Sequence, residues 1–235
     1  MPETVPPSSL SLGRHALVWI RPESRAAVAA QITDDGMHAQ VATWLAADRP
    51  LVVARQPCGD VLSDTIAVGT IATGLALPPA QGKRRISLSV AAHDIVRYTP
   101  PLRLADALAH APAGWQAALA ELDAAAMDIS IELRVFGSLA WQALSGLPYV
   151  TPQSDIDLLW RPLSNAQLQH GIALLACWER SSGLRADGEV LFGASSAVSW
   201  REWATLKSGD DQRVLVKRVS SAELVEAREL LELLA

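Results

Sequence analysis

Two short stretches of this chain carry the residue types that phosphate chemistry needs. One is Phe136-Gly137-Ser138 and the other is Ser154-Asp155-Ile156-Asp157-Leu158-Leu159. Asp155 and Asp157 are two apart in an apolar run that reads as a strand, so both carboxylates project from one face. Ionised carboxylates that close repel and perturb one another's titration. A divalent cation removes the conflict, and hard oxygen ligands on a rigid strand suit Mg²⁺ (or Mn²⁺), with substrate phosphates completing the shell. Gly137 permits a tight turn beside a phosphate. Ser138 and the following N–H groups stand at a helix start, where an anion is stabilised. A Gly-Ser at a strand end is by itself usually a turn, whereas two like charges side by side are costly without a partner. In this order the pieces describe a triphosphate held at a helix N-terminus and presented to a metal–carboxylate centre.

The elements that must position these residues follow from periodicity. Before Pro100-Pro101, apolar runs at 16–20, 51–54, 66–71 and 86–90 read as strands, with helical patterns at 24–32 and 37–47 and a turn at Pro78-Pro79 and Gly82. The proline pair marks a domain linker, giving an N-terminal domain over 1–100 and a catalytic domain over 101–235. Beyond it, 104–110 and 114–127 read as alanine-rich helices. Ile129, Ile131, Leu133 and Val135 alternate with polar residues and predict a half-buried strand running into a helix over 139–144. Ile156–Trp160 is the next strand, and Leu168, Ile172 and Leu175 give a helix stripe with Ser164 as N-cap. Strands at 190–192, 198–200 and 214–219 precede a last helix over 222–234, capped by the Ser220/Glu223 box. The fold class is α+β, or mixed α/β: a mixed sheet with helices, preceded by a smaller α+β domain.

Composition bounds the function. The chain has 235 residues, a net charge of −5 and a sequence pI near 5.5, with 50% hydrophobic and 19% charged residues, enough to build cores. The acidic balance argues against a nucleic-acid polymer as partner, since that affinity comes from cationic side chains on phosphates. Cys58 and Cys177 make neither a disulfide framework nor a metal spacing, and no apolar run approaches the roughly eighteen residues of a membrane span. A reduced, cytoplasmic setting is the expectation. The five histidines form no ligand spacing, and the glycines at 69, 74 and 82 form no P-loop. Lys83-Arg84-Arg85 is a candidate surface for coenzyme phosphates or an acidic protein, and Lys217 a candidate phosphate ligand; a charged turn is ordinarily just solvated. Core filling explains most of the eight tryptophans, although Trp141 and Trp160 flank the candidate site and are placed to pack on a base or ribose.

Gly-Ser, a spacer and hydrophobic-Asp-hydrophobic-Asp resemble the nucleotidyltransferase superfamily pattern. The resemblance implies a third carboxylate on a later strand, for which Asp187 and Glu189 both qualify. Wider stretches resemble one family within it: Arg134-Val135-Phe136-Gly137-Ser138-Leu139-Ala140-Trp141-Gln142, Gly146-Leu147-Pro148-Tyr149, and Ser154 through Trp160. Arg49-Pro50-Leu51-Val52-Val53, Gly82-Lys83-Arg84-Arg85-Ile86, Asp187-Gly188-Glu189 and Ser199-Trp200-Arg201-Glu202 are similar too. The family is that of the phosphoribosyl-dephospho-CoA transferases, or malonate decarboxylase holo-acyl carrier protein synthases. Membership implies attachment of phosphoribosyl-dephospho-CoA, taken from 2′-(5″-triphosphoribosyl)-3′-dephospho-CoA, to a serine of an apo acyl carrier protein subunit, with pyrophosphate leaving. It implies Asp155 and Asp157 as catalytic metal ligands and Gly137 and Ser138 against the leaving phosphates. Two other readings fit the same residues: a metal-dependent enzyme using a nucleoside triphosphate on a small molecule or protein, and a non-catalytic binding module.

Overall fold

The computed structural model describes residues 12–57, 69–206 and 212–234. The chain divides into two compact units between Pro100 and Pro101.

In the N-terminal unit, β1 (Leu17–Ile20), β2 (Leu51–Val53), β3 (Thr70–Ala76), β4 (Arg85–Ala91) and β5 (Ile95–Thr99) form an antiparallel sheet ordered β4-β3-β2-β1-β5. Helices α1 (Arg25–Ala29) and α2 (Asp35–Ala46) contribute Val28, Val41, Trp44 and Leu45 to the buried set, which also holds Val18, Leu51, Ile71, Leu88 and Val90. Asp34 caps α2 by accepting the Met37 N–H at 2.8 Å. β4 is the outermost strand among the described residues, and a side chain meets its edge: Gln31 Nε2 donates to the Ser89 carbonyl at 2.7 Å, and the Ser89 N–H donates to Gln31 Oε1 at 2.8 Å. The strand predicted at 66–71 meets β3 only at its end, and 66–68 lie outside the described residues, as does Cys58. Helix α1 is shorter than the predicted 24–32, because Pro22–Ser24 form a 3₁₀ turn and the α-helical span stops at Ala29.

The C-terminal unit is built on a seven-stranded mixed sheet, ordered β12-β11-β10-β9-β8-β7-β6. Its elements run β6 (Leu102–Arg103), α3 (Leu104–Ala107), α4 (Ala113–Asp128), β7 (Arg134–Phe136), α5 (Gly137–Ser145), β8 (Ile156–Trp160), α6 (Asn165–Ser182), β9 (Ala186–Phe192), β10 (Ser196–Ser199), α7 (Trp200–Ala204), β11 (Arg213–Lys217), β12 (Ala222–Glu226) and α8 (Ala227–Glu232). β8 and β9 pair in parallel, and the connection between them is α6, the crossover that parallel strands require. Ser164 caps α6 through the Gln167 N–H, and Leu168, Leu175 and Trp178 bury its inner face with Leu119, Ile156, Leu158 and Trp160. At Gly171 a Cβ would come within 2.4 Å of the Trp160 ring, so the glycine lets α6 lie against β8. Helices and largely antiparallel sheets make this an α+β protein, as the sequence predicts.

Two elements differ from expectation. The strand predicted over 129–135 pairs only at Arg134–Phe136, because α4 runs on to Asp128 and closes in a Schellman motif. The Ile131 N–H reaches the Ala126 carbonyl at 2.8 Å and the Ser130 N–H reaches Met127 at 2.9 Å, with Ser130 at φ +58° where glycine is the usual choice. The alternation is real in burial but is spent partly on this cap. The last helix, predicted over 222–234, begins only at Ala227: residues Ala222–Glu226 pair antiparallel with β11, from Lys217↔Ala222 to Arg213↔Glu226. Glu223 accepts from Arg218 Nε at 2.7 Å, and that ion pair at the β11–β12 turn takes the place of the capping box. Tertiary pairing with the Val214–Val216 strand overrides local helix spacing here.

Candidate active site

Each aspartate arrives at the site by a different device. Asp155 immediately precedes β8 and Asp157 lies within it; buried Ile156 and Leu158 alternate with them, so the two half-buried carboxylates share the face turned away from the core. β9 runs parallel alongside and sets Asp187 directly opposite Asp157. On the other flank Phe136 of β7 pairs with Asp157, and the chain then turns at Gly137, φ +64°, into α5. A Cβ at Gly137 would fall 1.8 Å from Asp157 Oδ2. The carboxylate therefore occupies the space a side chain would fill, and the first turn of α5, with Ser138, starts beside it.

The residues that hold this arrangement flank the Gly-Ser and Asp-x-Asp pairs. Gln142 Oε1 accepts the N–H groups of Tyr149 and Val150, at 3.0 and 2.9 Å, and its amide nitrogen donates to the His110 carbonyl. Those bonds fix the loop that delivers Asp155, and Ser154 Oγ tightens it by accepting the Thr151 N–H at 3.0 Å. Only the Gln142 position near Gly137-Ser138 hinted at this, since its partners lie several residues or a whole helix away. Trp160 is 2% exposed and belongs to the core, and Trp141 is buried and stacks on Tyr149 with ring centroids 6.3 Å apart. Neither offers a free ring face of the kind expected for a base.

The two candidates for a third carboxylate have separate surroundings. Asp187 is half-buried, and its Oδ1 accepts the Gly188 N–H at 2.8 Å. Glu189 is buried, 4% exposed, and its Oε1 accepts from Lys217 Nζ at 2.9 Å. Lys217, the candidate phosphate ligand, thus spends its ammonium on Glu189 in this structure. Removing it takes the ion-pair partner from a buried carboxylate, so Lys217→Met should cost about 2–4 kcal/mol in urea unfolding, with most of that restored in the Lys217→Met/Glu189→Gln double variant. Lys83, Arg84 and Arg85 stand exposed at the β3–β4 turn, Lys83 with φ +52°, in the N-terminal unit.

Among the described residues no three Asp, Glu, His or Cys side chains form a ready-made metal cluster. The donor set fits a cation that takes one or two carboxylates and fills its shell from substrate phosphates and water, which is the habit of Mg²⁺.

Comparison with known proteins fits both units. Residues 13–101 match the model described as the phosphoribosyl-dephospho-CoA transferase MdcG N-terminal domain, and residues 103–228 match the MdcG C-terminal domain. The chain belongs to the phosphoribosyl-dephospho-CoA transferase family. It is an enzyme of the transferase class. Relatives named phosphoribosyl-dephospho-CoA transferase include one from Xanthomonas campestris pv. campestris (strain 8004), 44% identical over 213 residues, covering 91% of this chain and 93% of that one. Another, from Xanthomonas axonopodis pv. citri, is 42% identical with the same coverage, and one from Bradyrhizobium diazoefficiens is 34% identical over 93% of this chain and 92% of its own. No solved structure gives a significant match. In this transferase no described helix is long and apolar enough to cross a membrane.

Proposed function

We propose that the chain transfers phosphoribosyl-dephospho-CoA from 2′-(5″-triphosphoribosyl)-3′-dephospho-CoA to a serine of the apo acyl carrier protein subunit of malonate decarboxylase, releasing pyrophosphate, in the cytoplasm. The observation that carries the reading is the juxtaposition of Asp157, Asp187 and the side-chain-free Gly137 at the start of α5. It gives a triphosphate both a carboxylate pair and a helix start within one small region.

In this reading Mg²⁺ or Mn²⁺ takes one or two carboxylates from the set Asp155, Asp157 and Asp187 and fills its shell from substrate phosphates and water, and Glu189 stays with Lys217 as support. A divalent ion held there supplies charge neutralisation for the triphosphate and the departing pyrophosphate. The chain's own groups do the rest. The Gly137 turn lets phosphate oxygens approach the backbone, and the Ser138 hydroxyl and the first N–H groups of α5 donate to them. The carboxylate face orients the α-phosphorus of the triphosphate for in-line attack by the carrier serine, whose oxygen–phosphorus bond forms as the bond to the departing pyrophosphate breaks. Lys83, Arg84 and Arg85 in the N-terminal unit bind coenzyme phosphates or the carrier surface; no nucleic-acid polymer or membrane is involved.

The test is the intact mass of the apo carrier subunit after incubation with this chain, triphosphoribosyl-dephospho-CoA and Mg²⁺. One phosphoribosyl-dephospho-CoA group should be gained per carrier, with one pyrophosphate released. An unchanged carrier mass overturns the proposal.

A further inference from the structure

The strand that carries Asp187 is only half covered by its neighbours. β10 pairs with β9 from Phe192 back to Glu189 and ends there, at Ser199. Ala186, Asp187 and Gly188 therefore have β8 on one side, where the Ile156 N–H takes the Arg185 carbonyl at 2.9 Å, and among the described residues no strand on the other. A strand end left that way frays, and a carboxylate on it has no fixed position.

Side chains from two helices close this edge. Glu179 of α6 accepts the Ala186 N–H on Oε1 at 2.7 Å. Arg201 of α7 donates to the Ala186 carbonyl from Nη2 at 2.7 Å, and the same nitrogen donates to Glu179 Oε1. The Trp200 indole N–H adds a longer contact to the Ala186 carbonyl, 3.3 Å, and the Arg201 guanidinium lies over the Trp200 ring at 4.7 Å. Both hydrogen-bonding groups of the residue before Asp187 are thus satisfied by one ion pair whose carboxylate is largely buried, 18% exposed. The pair works as a short artificial strand laid along β9.

We propose that Glu179 and Arg201 are positioning residues for Asp187, holding its carboxylate opposite Asp157 so that the two can share a divalent cation. This rests on the metal–carboxylate reading above. Neither residue touches the reacting atoms, and outer partners that orient a ligand typically govern metal affinity.

The experiment measures Mn²⁺ binding to the full-length chain by electron paramagnetic resonance, beside kcat, KM for the coenzyme and thermal unfolding. Arg201→Met should weaken Mn²⁺ binding by about tenfold or more and lower kcat by a similar factor, with KM little changed. Arg201→Lys should recover part of the loss, because both bonds leave one nitrogen that an ammonium can replace while the stacking on Trp200 is given up. Glu179→Ala opens the edge to water, and it supplies a second variant with the same expected loss should Arg201→Met fail to fold. A lowered melting temperature with unaltered Mn²⁺ affinity and kcat in these variants would overturn the positioning role. Failure of the unaltered chain itself to bind Mn²⁺ would instead remove the metal reading and this assignment with it.

Discussion

Asp157→Asn is expected to lower the rate of transfer to the carrier by on the order of 10³-fold or more while the protein stays folded. Asparagine keeps the shape and one acceptor oxygen but not the charge. In the proposed reaction that charge anchors the cation facing the triphosphate, and deleting one electrostatic element aimed at developing charge typically costs about 3–4 kcal/mol of transition-state stabilisation. The side chain is half-buried on the face away from the core, so little packing is lost and the melting temperature should barely move. Gly137→Ala sharpens the argument. It leaves every carboxylate in the chain, yet its methyl would sit 1.8 Å from Asp157 Oδ2, so the carboxylate must move. A comparable loss of transfer in Gly137→Ala, read from carrier mass against time, ties function to where Asp157 lies. Full activity in Asp157→Asn would refute the assignment of that residue.

Gly188→Ala should produce the largest loss of stability of any single methyl in the C-terminal unit. Gly188 lies opposite Leu158 in the parallel pair, at φ +131°, a conformation L side chains rarely adopt. A Cβ there would come 1.9 Å from the Leu158 carbonyl oxygen and 2.6 Å from its nitrogen. Both are backbone atoms of the neighbouring strand, so relief requires β8 and β9 to separate. Backbone strain and broken ladder bonds together put the cost at roughly 4 kcal/mol or more, a large share of a domain's stability. The urea midpoint of the full chain should fall sharply, or the variant should accumulate as insoluble protein. A midpoint within experimental error of the parent would contradict the close approach. The same glycine lies between Asp187 and Glu189, and it allows one carboxylate to face Asp157 while the other reaches Lys217.

Much of this was legible because local signals and tertiary demands agreed. The stretch Ile156–Trp160 reads as a strand and is one, and Ser164 is a helix cap in sequence and in space. The signals failed where a distant partner decides. Nothing local in Ala222–Glu226 distinguishes helix from strand until β11 lies beside it. Ser130 reads as the polar member of an alternating strand, and its positive φ depends on how far α4 extends. In the site, Asp187 and Glu189 are indistinguishable by spacing, because residues two apart share a strand face. What separates their surroundings is Lys217, twenty-eight positions further on. Gln142 and Arg201 lie in stretches that resemble the family, yet their roles, like that of Glu179, were not legible for the same reason: each serves backbone groups that only the fold brings to it.

The carboxamide of Gln31 on the edge of β4 has a consequence for how the chain behaves in company. An edge strand is a row of unsatisfied donors and acceptors that another extended polypeptide can join, and exposed edges of this kind seed association. Gln31 offers Ser89 the same donor–acceptor pair that a docking strand would offer, at 2.7 and 2.8 Å, and so already holds the position a visiting chain would need. An intruder must first displace a contact that is intramolecular and therefore always at hand. At Ser89, one glutamine thus already occupies the place on β4 that an added strand would have to take.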